Sequence, residues 1–284
     1  MQTISAVIIT FNRITILQEI IDAIRNQSRK PDAIIVVNNS SSDGTLEWLL
    51  KQDDLIVINQ DNVGSSGGQF TGIKKGYDLG FDWIWTMDDD VVPDPKCLET
   101  LFDTNDELII RTPLRYTPDG IPFENDALTY NLTNPFRSIW NDVLSKYLLI
   151  ESKIPAVGIT FEGPLFHRSL VEKIGLPEKK IFIFGDDTEF FIRAWKAGWK
   201  TFIYRDARLD RKLIADTDPV NFTWKTYYMI RNIIAIDVLH GNLAVRIIRP
   251  FGYLIRWLTR AKSFDQRKIV WKAFKDGYLY KSIN

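Results

Sequence analysis

The sequence predicts an α/β fold: a mostly parallel central sheet flanked by helices, with a helical extension at its C-terminal end. Three observations predict it. Short apolar, β-branched runs alternate with amphipathic segments from Ser5 to Met87, the rhythm of strand–helix–strand units. Those runs are apolar almost throughout, as parallel strands covered on both faces are. From Thr223 onward the chain is basic, aromatic and helical in its spacing.

Taken in order, "SAVIIT" (5–10) is the first strand and "ITILQEIIDAIRNQ" (14–27) carries apolar residues at helical spacing. "AIIVVN" (33–38) and "LIVIN" (55–59) are further strands, with a helix at 44–52 between them. A helix over 68–80 ends at a glycine cap, and "WIWTM" (83–87) is the fourth strand. From 111 to about 154, four prolines, Pro113, Pro118, Pro122 and Pro135, break any regular reading. A helix is expected at 168–174, and a carboxylate turn, "GDD", runs into an amphipathic helix. "KTFIYR" (200–205) reads as another strand. Pro250 is expected to end one C-terminal helix and start the next.

The 284 residues are 45% hydrophobic and 25% charged, enough for one large core or two smaller ones. Cys97 is the one cysteine, which excludes an internal disulfide and fits a reducing compartment. The opening "MQTISAVIITFNR" lacks the basic region of a signal peptide. No apolar run approaches the ~18 residues of a spanning helix, so a cytoplasmic protein is expected. The net charge of zero hides an asymmetry. Residues 241–284 hold ten Lys/Arg against two Asp/Glu, a local +8 balanced by −8 in the remainder. A basic tail on an acidic body implies an anionic partner for the tail.

In an open α/β sheet, ligands sit beyond the carboxyl ends of the strands. That edge here collects Thr10, Phe11, Asn12 and Arg13 after strand one, and Asn38, Asn39 and Asp43 after strand two. Asn62, Gly64, Gly67 and Gly68 follow strand three, and Asp88, Asp89 and Asp90 follow strand four. Polar side chains, glycines and a carboxylate cluster are what a nucleotide diphosphate with a divalent cation requires, because hard cations take oxygen ligands. A second acidic cluster, Asp186, Asp187 and Glu189, lies a hundred residues on. Acids also favour a helix's first turn, and that role is compatible with chemistry. His167 and His240, the only histidines, are read as structural.

The ordered elements "VIITFNR", "VVNNSSSDGT", "NVGSSGG", "MDDDVVP" and "FGDDTEFFIRAWKAGW" resemble the family 2 glycosyltransferases with the GT-A fold. "NVGSSGG", "MDDDVVP" and "KTYYMIRN" (225–232) are similar to the branch of galactofuranosyl- and rhamnosyltransferases. The resemblance implies a nucleotide-sugar donor, UDP-galactofuranose first and dTDP-rhamnose second. It also implies a glycan acceptor, lipid-linked or soluble, in bacterial surface polysaccharide assembly. Asp88 and Asp90 match the pair that binds Mn²⁺ or Mg²⁺ together with the diphosphate, with Asp89 beside them. Asp187 matches the general base, and Gly163, Asp186 and Glu189 fall on the acceptor side. Thr10, Phe11, Asn12, Arg13, Asn38, Asn39 and Asp43 surround the nucleoside. Asn62 and the three glycines fall near base and diphosphate. The implied division is a catalytic domain over 1–215, with its donor half at about 1–110 and its acceptor half at about 111–215, followed by a helical region over 216–284.

Two positions depart from that pattern. An acid usually follows strand two, where this chain has Asn38. The usual histidine metal ligand is replaced by Arg211 in "DARLDR". Either Asp210 serves as ligand instead, or the metal has carboxylates alone, or Arg211 holds the diphosphate by charge-assisted hydrogen bonds. The chemistry itself asks for two acidic centres. A carboxylate near the acceptor hydroxyl acts as base, and a divalent ion neutralises the leaving diphosphate. The competing classes are a nucleotidyltransferase, disfavoured by the lack of a glycine-rich basic loop after strand one, and a catalytically inactive nucleotide-sugar-binding scaffold. Nothing points to nucleic acid. The C-terminal aromatics and basic residues fit an anionic membrane surface, or else a merely solvated helical face.

Overall fold

The computed structural model describes residues 2–102, 106–124, 127–144, 150–213 and 222–282. Four parallel strands form one half of the main sheet. β1 (Ile4–Thr10) is flanked by β2 (Ala33–Asn38) and β4 (Trp83–Asp88), with β3 (Leu55–Asn59) beyond β2. The connecting helices are α1 (Ile14–Arg25), α2 (Thr45–Leu49) and α3 (Gly64–Asp78). β5 (Val91–Pro93) and α4 (Cys97–Leu101) follow β4. Alternation along β1 builds both cores. Ile4, Ala6 and Ile8 face Leu17, Ile20, Ile21 and Ile24 of α1, whereas Val7 and Ile9 pack on the opposite face with Val37, Ile73 and Phe166. Each such fully buried aliphatic side chain contributes about 1.5–3 kcal/mol.

The sheet's other half is mixed. β6 (Ile109–Tyr116) runs parallel to β11 (Lys200–Arg211), and β10 (Leu165–His167) lies antiparallel between β4 and β6. β9 (Lys153–Ala156) and β5 both pair antiparallel with β11. β7 (Ala127–Tyr130) and β8 (Trp140–Val143) form a separate hairpin. α5 (Ser169–Ile174) and α6 (Asp186–Lys196) pack against the sheet. α7 (Trp224–His240), α8 (Leu243–Arg260) and α9 (Phe264–Tyr278) form a helical unit around Ile230, Ile234, Trp257 and Val270.

Four expectations are corrected. The stretch after 111 is not irregular, since β6 runs through Pro113. β10 meets β6 only at Arg111, so Pro113 lies past that antiparallel pairing and its missing N–H forfeits no bond there. α3 begins at Gly64 rather than Gly68. β11 extends to Arg211 instead of ending at Arg205, with a bulge between Tyr204 and Arg208. Pro250 does not divide α8. An interior proline costs about 3 kcal/mol, but here Arg249, Pro250, Leu254 and Trp257 are all buried. Arg249 is also tied to Asp237 of α7 at 2.9 Å, so packing on both sides of the proline outweighs the break.

Candidate active site

The four parallel strands end on one edge, at Thr10, Asn38, Asn59 and Asp88. The three consecutive aspartates there do different work. Asp89 turns back under β1, accepting hydrogen bonds from the Phe11 N–H at 2.9 Å and from Arg13 Nη1 at 2.6 Å. Asp90 lies 3.0 Å from the same arginine nitrogen. Asp88 accepts from Gln69 Nε2 at 3.3 Å. Burial, then the charges of Glu162, Asp90, Asp89 and Asp186, push its carboxyl well above the usual range. These groups open on a cleft of about 500 Å³ that Thr10, Phe11, Asn39, Asn62 and Arg211 also line.

A second cavity, of about 650 Å³, lies between the β6–β8 side and the C-terminal helices. Its walls carry Phe123, Ile139, Ile159, Met229, Ile233 and Trp257, with Arg256 and Arg260 among its polar groups. Asp187 lines both cavities, as do Glu162, Phe184 and Arg211. Asp186 faces the first cleft, where Ser65 Oγ donates to it at 3.3 Å. Burial is the first cause raising both carboxyls, and the Asp187 charge adds to the rise at Asp186. At Asp187, hydrogen bonds from Thr188 oppose the rise, with the Thr188 N–H at 2.6 Å.

The turn that presents this pair is held from α7. Phe182, Phe184 and Gly185 all have positive φ, at 70°, 64° and 88°. Two bulky residues in that region are costly unless their surroundings fix them. Asn232 supplies the restraint, its Nδ2 donating to the carbonyls of Ile181, Ile183 and Phe184 at 3.1, 2.7 and 2.8 Å. Arg231 Nη2 adds bonds to Lys180 and Ile181.

Glu162 was not singled out by the sequence reading. It is buried between two arginines, accepting from Arg115 Nη1 at 2.8 Å and Arg211 Nη2 at 3.0 Å. An acid inside the otherwise apolar "ITFEGPLF" was the available signal, because such a charge persists only when paired. Arg211 thus stands at the junction of the two cavities as an organised cation.

Other expected positions serve the scaffold. Asn38 is fully buried, donating to Asn59 at 2.7 Å and accepting from the Ser41 N–H, so its amide is spent internally. Asn12 accepts from the Ser42 N–H at 2.7 Å, and Asp43 from the Ile14 N–H at 3.0 Å; both stitch together the loops after β1 and β2. Gly67 and Gly68 lie inside α3; a Cβ on Gly68 would strike Ile9, so that glycine allows the helix to approach β1, whereas one on Gly67 would strike Val63. At Gly64 (φ +78°), a Cβ would collide with the Phe182 carbonyl. Gly163 is likewise a packing position, its carbonyl accepting from Trp85 Nε1 at 2.9 Å. Glu189 is corrected as an acceptor-side residue. It is buried against Arg193 and His240, which hold its carboxyl below the usual range although burial alone would raise it. Asp210 is corrected as a metal ligand. It alternates with Arg211 along β11, lines neither cavity and pairs with Arg208 at 2.8 Å.

Among the described residues, no three His, Cys, Asp or Glu side chains stand together as a ready metal site. Asp88 and Asp90 are nonetheless a fitting pair of hard oxygen donors in a cleft with excess negative charge, which leaves the remaining positions to a ligand's own oxygens.

An acidic cleft across the carboxyl edge of this sheet shares two carboxylates, Glu162 and Asp187, with a second cavity, on the GT-A fold of the glycosyltransferases. The chain belongs to glycosyl transferase family 2, whose model matches residues 5–175. It is 27% identical over 212 residues to galactofuranosyltransferase GlfT1 of Mycolicibacterium smegmatis, covering 69% of this chain and 67% of that protein. It is 25% identical over 202 residues to O-antigen chain rhamnosyltransferase RfbN of Salmonella typhimurium, covering 69% and 62%. The chain therefore spans about two thirds of the length of these relatives. Among solved structures, that of GalNAc-T7 with UDP, GalNAc and Mn²⁺ superposes with TM-score 0.68 at 13% identity, covering 96% of this chain and 54% of that one. S. aureus TarS 1-349 superposes with TM-score 0.60 at 14% identity, covering 97% and 80%.

Proposed function

We propose that this glycosyltransferase moves galactofuranose from UDP-galactofuranose to a glycan acceptor with inversion, dTDP-rhamnose being the second candidate donor. The observation that carries the reading is the position of Asp187 on the wall between the two cavities. The donor occupies the acidic cleft, with its nucleoside near Thr10, Phe11, Asn39 and Asn62. The acceptor occupies the more apolar cavity. Asp187 takes the proton from an acceptor hydroxyl as that oxygen bonds to the anomeric carbon, and the bond from that carbon to the diphosphate breaks. A carboxylate whose proton affinity burial has raised suits this role at near-neutral pH. Arg211, fixed by Glu162, stands at the junction to stabilise the departing charge.

Asp88 and Asp90 would hold Mn²⁺ or Mg²⁺, which when bound neutralises diphosphate charge. The relatives' names favour the furanosyl and rhamnosyl donors and an acceptor in bacterial surface polysaccharide. In this reading residues from 1 to about 110 form the donor half, those from about 111 to 215 the acceptor half, and 216–284 the C-terminal region, whose α7 and α8 also wall the acceptor cavity. That basic region meets an anionic membrane surface on its cytoplasmic side, where lipid-linked acceptors are presented. Thermal shift and nucleotide release with UDP-galactofuranose, UDP-galactopyranose and dTDP-rhamnose test the donor, each with Mn²⁺ or EDTA. Release confined to UDP-galactofuranose is expected; equal turnover of all three, or of none, overturns the donor assignment.

A further inference from the structure

α8 carries a second apolar stripe beside the one it buries. At ~100° per residue, Leu243, Ile247, Phe251 and Ile255 fall on one arc, and all four are exposed. Arg249, Arg256 and Arg260 fall about 180° from the centre of that arc by the same geometry. Of these, Arg249 is buried against Asp237, while Arg256 and Arg260 are exposed along the acceptor cavity; the side of α8 that the protein covers carries Val245, Leu254 and Trp257. A helix on a water-facing surface normally turns its apolar stripe inward. Here the second stripe points out and continues onto α9, where the Phe251 ring lies 5.2 Å from that of Phe274 and 6.1 Å from that of Tyr278.

The charge around this face selects its occupant. Lys268, Lys272 and Lys275 of α9 are exposed beside Trp271, and residues 241–284 carry a surplus of eight positive charges. A second copy of the chain would set this basic surface against itself. An anionic bilayer supplies both complements, apolar depth for the stripe and negative headgroups for the lysines. Among the described residues, no helix is long and apolar enough to cross a membrane, so contact is in the plane of the interface.

Building on the membrane partner of the proposed function, we propose that α8 lies in the headgroup boundary of an anionic bilayer with Ile247, Phe251 and Ile255 immersed. The lysines of α9 meet the headgroups, and the opposite side of α8 forms the wall of the acceptor cavity. One helix diameter, ~10 Å, then separates that cavity from the lipid.

The test is flotation of the whole chain with phosphatidylcholine vesicles, with and without phosphatidylglycerol, for wild type and for Ile247→Ser/Phe251→Ser/Ile255→Ser. None of the three residues lines either cavity, so the variant should keep its nucleotide-sugar turnover on a soluble acceptor, its melting temperature falling only by what the contacts of Phe251 with Phe274 and Tyr278 contribute. Binding of wild type to the anionic vesicles, falling about tenfold or more in the variant, is expected. Wild-type binding that the variant retains in full would overturn the assignment of the face while leaving a membrane role standing. No wild-type binding to either vesicle would overturn both. A wild-type dimer that the variant converts to monomer, without vesicle binding, would give the face to a second copy.

Discussion

The side-chain amide of Asn232 lies 2.8 Å from the carbonyl oxygen of Phe184, three residues ahead of Asp187, and through that bond α7 holds the turn carrying the candidate base. Asn232→Ala leaves three carbonyls of a positive-φ turn without this donor. Displacement of a reacting group by ~1 Å costs about a hundredfold in rate. A kcat lowered ten- to a hundredfold with donor affinity retained is expected. Equal losses in donor binding and kcat would mean that the residue supports the fold at large.

Asp187→Asn keeps the shape and removes the proposed base. Steady-state kinetics should show kcat reduced by roughly 10²–10⁴, with the donor-induced thermal shift close to wild type. Near-normal turnover would move the role to Asp186, which faces the donor cleft.

The raised carboxyls at Asp186 and Asp187 set a pH dependence with a definite sign. Activity should rise with pH as Asp187 loses its proton. Burial and the Glu162 charge, not the Asp186 charge, raise Asp187, so the acid limb of kcat/KM should keep its place in Asp186→Asn. Stability runs the other way. The folded chain keeps these protons at pH values where the unfolded chain has lost them, so this contribution is present at low pH and fades as pH rises through the raised value. Melting temperatures of wild type and Asp186→Asn across that window check it, and the variant should show the smaller decline.

Asp88→Asn should abolish the part of the donor-induced thermal shift that requires Mn²⁺, since a ligand stabilises only in proportion to its binding. Without ligands the variant should melt no lower than wild type, because a neutral amide replaces a buried carboxyl whose ionisation its acidic neighbours oppose. An unchanged Mn²⁺ response would remove Asp88 from the metal site.

Glu162→Gln tests the buried junction. It strips the compensating charge from Arg115 and Arg211, and breaking a buried pair costs about 3–5 kcal/mol. Urea denaturation should register a loss of that size. By contrast, Arg211→His leaves the Arg115–Glu162 pair in place, and it should weaken nucleotide diphosphate binding even at saturating metal.

The sequence by itself determined the parallel half of the sheet and the edge on which ligands gather. Strand and helix periods are local, and the rule for strand ends needs only their order. Asp88, Asp90 and Arg13 could be placed on that edge for that reason, whereas Asp187 was singled out only by the resemblance of its motif. Tertiary structure decided what each polar group has left to offer. Asn38 spends its amide on Asn59, Glu189 is consumed by Arg193 and His240, and Gly68 and Gly72 of α3 serve close packing against β1. Glu162 acquires its place only when Arg211, 49 residues away, folds against it, and Asp186 meets Ser65 across 121 residues. The course of α8 through Pro250, and the outward turn of its second apolar stripe, were decided the same way. A proline's local cost and a helix's amphipathic period are written in the chain, but which side of that helix the protein covers depends on partners far away in sequence.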